Sequence, residues 1–102
     1  MTAFALDGRA RLSIELALTA GDPDPGQEAE ARGMGMTGAE IDAARRGRSF
    51  DVRTSLALAL VLAAGEAEDR RRECRARALR AGIPEDVCRE IETLAGKAHR
   101  HA

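Results

Sequence analysis

The 102-residue chain contains no Trp, no Tyr and only two Phe, Phe4 and Phe50. That absence removes the stacking platforms on which single-stranded nucleic acids are held. An excess of charge is missing too, since 16 Lys and Arg stand against 17 Asp and Glu for a net charge of −1. Such a balance argues against a coat for nucleic acid or for an anionic membrane surface. No apolar run is long enough to span a bilayer, the longest being Leu56 to Ala64. The amino end, with Phe4 and Leu6 among small and acidic residues, has neither the basic segment nor the apolar stretch of a signal peptide. Cys74 and Cys88, fourteen positions apart, match no zinc-ligand spacing and no Cys-x-x-Cys redox pair. The expectation is a cytoplasmic protein with two free thiols, no metal and no cofactor.

Alanine and arginine dominate what is there. Alanine numbers 21, nearly equal to the 22 Leu, Ile, Val, Phe and Met taken together. Fifteen of the 16 basic residues are arginine, a bias that fits a GC-rich bacterial coding sequence. One domain is the expectation for this length. A core so rich in alanine buries little area per residue, and a small domain already has a poor surface-to-volume ratio.

Helix signals run the length of the chain. Asp7 caps a helix opening near Arg9, with Leu12, Ile14, Leu16 and Leu18 as its apolar residues and Gly21 as its stop. The segment Asp22 to Gly26, with Pro23 and Pro25, reads as a rigid loop before a short helix over Gln27–Arg32. Gly33 and Gly35 break it, and Thr37 with Glu40 forms a capping box for a helix running to Arg46. Met34 and Met36 flank Gly35 and read as gap fillers under the turn, with a pocket-lining role for Met34 as the alternative. Asp51 caps Val52–Ala64, which is apolar on every face from Leu56 onward and so predicts a helix buried all round at the centre of the domain. Acids at Glu66, Glu68 and Asp69 precede the arginines of a helix over Glu66–Ala81, complementing its dipole. Gly82 stops it, and Pro84 opens a last helix carrying Val87, Ile91 and Leu94, with 96–102 as a flexible tail.

These signals repeat. At an offset of 44, Leu6 to Arg9 matches Phe50 to Arg53, and Leu12, Ile14, Leu16, Leu18 and Gly21 fall on Leu56, Leu58, Leu60, Leu62 and Gly65. After a three-residue insertion, Ala29, Ala31, Gly35 and Thr37 fall on Ala76, Ala78, Gly82 and Pro84. The prediction is an all-α domain of about six helices, built from two duplicated three-helix halves at about 6–47 and 50–95.

Leu6-Asp-Gly-Arg9, the apolar helix ending at Ala20-Gly21, and Gly35-Met-Thr-Gly-Ala-Glu-Ile41 resemble the alkyl hydroperoxidase D-like superfamily, which includes carboxymuconolactone decarboxylase. Phe50 to Leu60 and Arg80 to Asp86 resemble its second half, so the likeness covers about residues 6–95. The resemblance implies an oligomeric helical protein, and in the peroxidase members a Cys-x-x-Cys pair followed by a histidine eight residues before the glycine. Here the corresponding positions are Ala20, Pro23 and Gln27 in the first half, and Ala67, Arg70 and Cys74 in the second. Neither half carries the motif, and the usual chemistry needs an attacking thiolate beside a resolving thiol. The reading is therefore a binding or scaffold module, or a small-molecule activity of another kind, rather than a thiol peroxidase.

Cys74 is the single candidate catalytic residue, because Arg70, Arg71, Arg75 and Arg77 around it would favour a thiolate. The plainer reading is a half-buried helical residue. Cys88, between Val87 and Ile91, reads as core, and His99 with His101 reads as a tail rather than a metal site. The rival class is a small helix-turn-helix nucleic-acid binder, with Thr37–Arg48 as the recognition helix and Arg45, Arg46, Arg48 and Arg70–Arg72 gripping phosphates. Neighbouring Glu40, Asp42, Glu66, Glu68 and Asp69 offset that basic field. A homo-oligomer is expected, because Leu12, Ile14, Leu16 and Leu18 occupy more than one helical face and six alanine-rich helices look too few to cover them and the Leu56–Ala64 run.

Overall fold

A computed structural model describes residues 4–100. These form six helices, α1 (Gly8–Leu18), α2 (Pro25–Gly33), α3 (Gly38–Arg45), α4 (Val52–Ala63), α5 (Glu68–Arg80) and α6 (Glu85–Arg100), with no strand among the described residues. The all-α expectation of about six helices holds, and the caps explain most of the boundaries. The Ala10 amide donates to Asp7 at 2.8 Å, and the Thr54 amide and hydroxyl donate to Asp51 at 2.9 and 2.7 Å. Thr37 and Glu40 close the reciprocal capping box at 3.0 and 3.1 Å. Two donors that a helix start leaves without partners are satisfied there.

Several boundaries differ from the sequence reading, among them the start of α5, at Glu68 rather than Glu66. Pro25 belongs to α2 rather than to the preceding loop, with Asp24 as N-cap accepting from the Gly26 amide; proline suits the first helical turn, where its missing N–H costs nothing. Helix α1 stops at Leu18, before Gly21, and the Thr19 hydroxyl donates to Glu15 O at 2.8 Å. Helix α6 runs through Gly96 to Arg100, where a flexible tail was the expectation. An isolated glycine costs a helix only about 1 kcal/mol, too little to end one supported by Ile91 and Ala95 in the core.

The domain is a slab of about 36 × 34 × 18 Å. Helix α1 packs on α2, α3 and α4, and α4 packs on α1, α5 and α6. Arg9 of α1 pairs with Glu40 of α3 at 2.7 Å, and Arg11 pairs with Glu90 of α6. Two cores result. Leu12, Leu16, Ala31, Met36, Ile41 and Ala44 fill the first, while Ile14 and Ala17 join Leu58, Leu60, Val61, Ile83 and Ile91 in the second.

That division overturns the argument that α1 and α4 cannot be covered within one chain. Helix α1 sends Leu12 and Leu16 to one core and Ile14 to the other, each no more than 2% exposed. Burial of each such side chain contributes roughly 1.5–3 kcal/mol. Nor is α4 buried all round, since Val52 is exposed and Leu62 is 42% exposed.

The turns after α2 and α5 share one geometry. Gly35 and Gly82 have φ of 89° and 95°, the left-handed region that glycine enters without a Cβ clash. The Met36 amide donates to Ala31 O at 3.0 Å, and the Ile83 amide to Ala78 O at 3.1 Å. These bonds satisfy carbonyls at the helix ends.

Candidate functional site

A cleft of about 440 Å³ opens where α1, α3 and the N-terminal end of α4 meet. Its floor is apolar, formed by Ala10, Met36 and Ala44, all buried. Its rim is charged and hydroxylated, with Asp7, Arg9, Ser13, Glu40, Arg48, Ser49, Asp51 and Thr54. Phe50 forms one wall and is 74% exposed. The wall exists because Gly47, with φ of 76°, turns the chain out of α3 and brings 48–50 back along the cleft.

Most of the rim polarity is spent inside the protein. Asp7 and Asp51 cap α1 and α4, and the Ser13 hydroxyl donates to Arg9 O at 2.9 Å. The Thr37 amide hydrogen bond, with the Thr37 hydroxyl and then the Arg9 guanidinium adding to it, holds the Glu40 carboxyl below the usual carboxylate value against the opposing effect of desolvation. Asp51 is lowered likewise, first by the Thr54 hydroxyl and then by the Thr54 amide. Both carboxylates therefore stay charged well into acid, as a rim that binds rather than one that shuttles protons near neutral pH. Arg48 differs from its neighbours, because its guanidinium makes no ion pair with any described residue.

The cysteines are elsewhere. Cys74 on α5 is 3% exposed, and Cys88 on α6 is fully buried; both are free. Burial pushes the Cys88 thiol above its ordinary value, with Arg75 opposing in part. Two of the four arginines near Cys74 in sequence are engaged by carboxylates: Arg70 reaches Glu66 and Glu73 at 3.6 Å, and Arg75 reaches Glu85 at 3.6 Å. An attacking thiolate needs access to its substrate, which burial denies to Cys74.

Met36, not Met34, lines the cleft; Met34 lies against Gly8 and is 39% exposed. In α3, Ile41 and Ala44 face the core, and Arg46 pairs with Asp42 at 3.3 Å. Arg72 likewise pairs with Glu68 at 2.9 Å. The arginine runs are thus mixed-charge faces with i, i+4 pairs. His99 falls within the α6 span and His101 lies outside the described residues, among which no group of three potential metal ligands occurs. No described helix is long and apolar enough to cross a membrane.

Arg48, Phe50 and Asp51 form a site that periodicity does not reveal. Their one signal is the short Arg48–Asp51 segment between a glycine stop and an aspartate cap, in which an aromatic residue has no helix to pack it. Compared with known proteins, the chain matches no family model, no curated protein and no solved structure.

Proposed function

We propose that this protein is an alkyl hydroperoxidase D-like helical module that binds a small organic molecule in the cleft between its two halves and does so without thiol peroxidase chemistry. The cleft is the observation that carries the reading: an apolar floor, an exposed aromatic wall and one arginine with no ion-pair partner among the described residues. Ligand sites commonly combine apolar lining with a few polar groups that fix orientation. Arg48 is the group with charge to offer, so the ligand carries an anionic group, and its apolar body lies against Phe50 and Met36. Supporting the duplicated architecture are the matching aspartate caps at Asp7 and Asp51 and the matching turns at Gly35 and Gly82.

Self-association is the second part of this reading. Phe50 and Val52 stand 74% and 71% exposed two positions apart, and Leu79 adds a third exposed apolar side chain on α5. A second copy covering such residues would thicken a slab only 18 Å deep.

Titration of the isotope-labelled chain with benzoate tests the binding reading. Amide shifts should appear at Ala10, Ser13, Glu40 and Ser49–Thr54, with benzylamine producing none. Shifts that are absent, or scattered away from the cleft, would refute it.

A further inference from the structure

A second groove lies at the other end of the domain, between α5, α6 and the C-terminal end of α4. One part, about 300 Å³, is lined by Glu68, Arg71, Arg72, Arg75 and Glu92. The other, about 200 Å³, is lined by Leu60, Ala64, Arg71, Glu92 and Gly96. Arg71 and Glu92 belong to both, so the two parts adjoin.

Charge is unevenly satisfied along it. Arg72 is held by Glu68 at 2.9 Å, and Arg75 faces Glu92 at 3.8 Å. Arg71 pairs with no described carboxylate. The Arg75 Nε–H is buried, and no described acceptor lies within hydrogen-bond distance of it. Its nearest carboxylate oxygen is Glu92 Oε1 at 3.8 Å, so that guanidinium is only loosely held. Arg75 also reaches Glu85 at 3.6 Å, so of the three arginines in the polar part it is Arg71 whose charge no described carboxylate offsets.

The other part is apolar for a reason visible in the sequence. Gly96 sits inside a helix, where glycine is a poor choice, and a Cβ added there would meet nothing within 4 Å. Its missing side chain leaves the space beside Leu60 and Ala64 open.

We propose that this groove binds an amphiphilic oxyanion, with a carboxylate or phosphate head among Arg71, Arg72 and Arg75 and a short alkyl tail over Leu60, Ala64 and Gly96. The inference is independent of the cleft at Arg48, because the two sites share no residue. Arginine gives the head directional donors, and the one guanidinium without a described carboxylate, that of Arg71, suits a monoanion.

Titrations of the full chain with hexanoate, octanoate, octyl phosphate, octanol and inorganic phosphate, below micelle-forming concentrations, test it. Affinity should rise about threefold to fourfold for each added methylene. Arg71→Gln should weaken octanoate by about tenfold, the loss expected for one charged hydrogen bond. Gly96→Leu should abolish the dependence on tail length while helical circular dichroism is retained. Comparing octanoate with octyl phosphate identifies which head is preferred, and saturable binding of either one supports the groove. Absence of saturable binding by both, octanol binding as tightly as octanoate, or affinities unchanged in Arg71→Gln and Gly96→Leu would overturn the proposal.

Discussion

Three glycines in different surroundings should respond to alanine in opposite directions, and the structure sets the size of each response. Gly82 closes the turn after α5 at φ 95°, and an added Cβ would lie 3.6 Å from Arg53, an ordinary contact. Its cost is therefore backbone alone, roughly 1–2 kcal/mol for an L-residue held in the left-handed region. Gly96 lies in regular helix with open space around it. Alanine there should stabilise by roughly 0.5–1 kcal/mol. Gly47 combines φ 76° with a Cβ that would come within 2.6 Å of Leu62 Cδ1. Because Leu62 is 42% exposed and can swing aside, Gly47→Ala should lose only slightly more than Gly82→Ala. Urea unfolding followed by circular dichroism reads these differences directly. The double variant Gly47→Ala/Leu62→Ala should recover the steric part and leave the backbone part, a coupling seen only between residues in contact. Against a total stability of about 5–15 kcal/mol, the separation of Gly82→Ala from Gly96→Ala, about 2 kcal/mol, is easily resolved. Equal stability of the two variants would refute the reasoning, since it would mean that Gly82 is not in a strained turn or that Gly96 is not in a helix.

Leu58→Ala, which empties a fully buried position on α4, should cost about 2–5 kcal/mol by thermal or urea unfolding, whereas Val52→Ala at an exposed position should change little. Acid should destabilise the fold: Glu40 and Asp51 have lowered values in the folded protein, so their contribution is complete above the unfolded values of about 4 and is lost as pH falls through the folded ones. Alkali should do so as well, because the raised Cys88 value lets the unfolded chain ionise first, above about pH 8.5; Cys88→Ala should remove that limb from a stability-versus-pH series. Light scattering at rising concentration should give a mass above 10.9 kDa, with Phe50→Asp/Val52→Asp returning it to the monomer.

Local chemistry made most of the helices legible. Asp7, Asp51 and the Thr37–Glu40 pair mark starts by the bonds they make within a few residues, and Gly35 and Gly82 mark turns that need left-handed backbone. The partition of α1 between two cores was not legible, because Leu12 and Ile14 look alike in a pattern and differ only in which helix covers them. Cys74 drew attention through sequence neighbours, yet Arg70 and Arg75 turn to carboxylates and the thiol is buried. Both clefts were hidden for a related reason: Arg48 approaches Arg9 and Asp7, and Arg71 approaches Gly96, only after the helices pack.

The most direct test of the account is the affinity of benzoate for the unmodified chain and for Arg48→Gln, measured by calorimetry at low salt. Arg48 is exposed and bonds to no described carboxylate, so the substitution leaves the fold intact. The account predicts saturable binding that weakens by about tenfold in Arg48→Gln, the loss of one charged hydrogen bond. Equal affinity for the two proteins, or no binding by the unmodified chain, would contradict it.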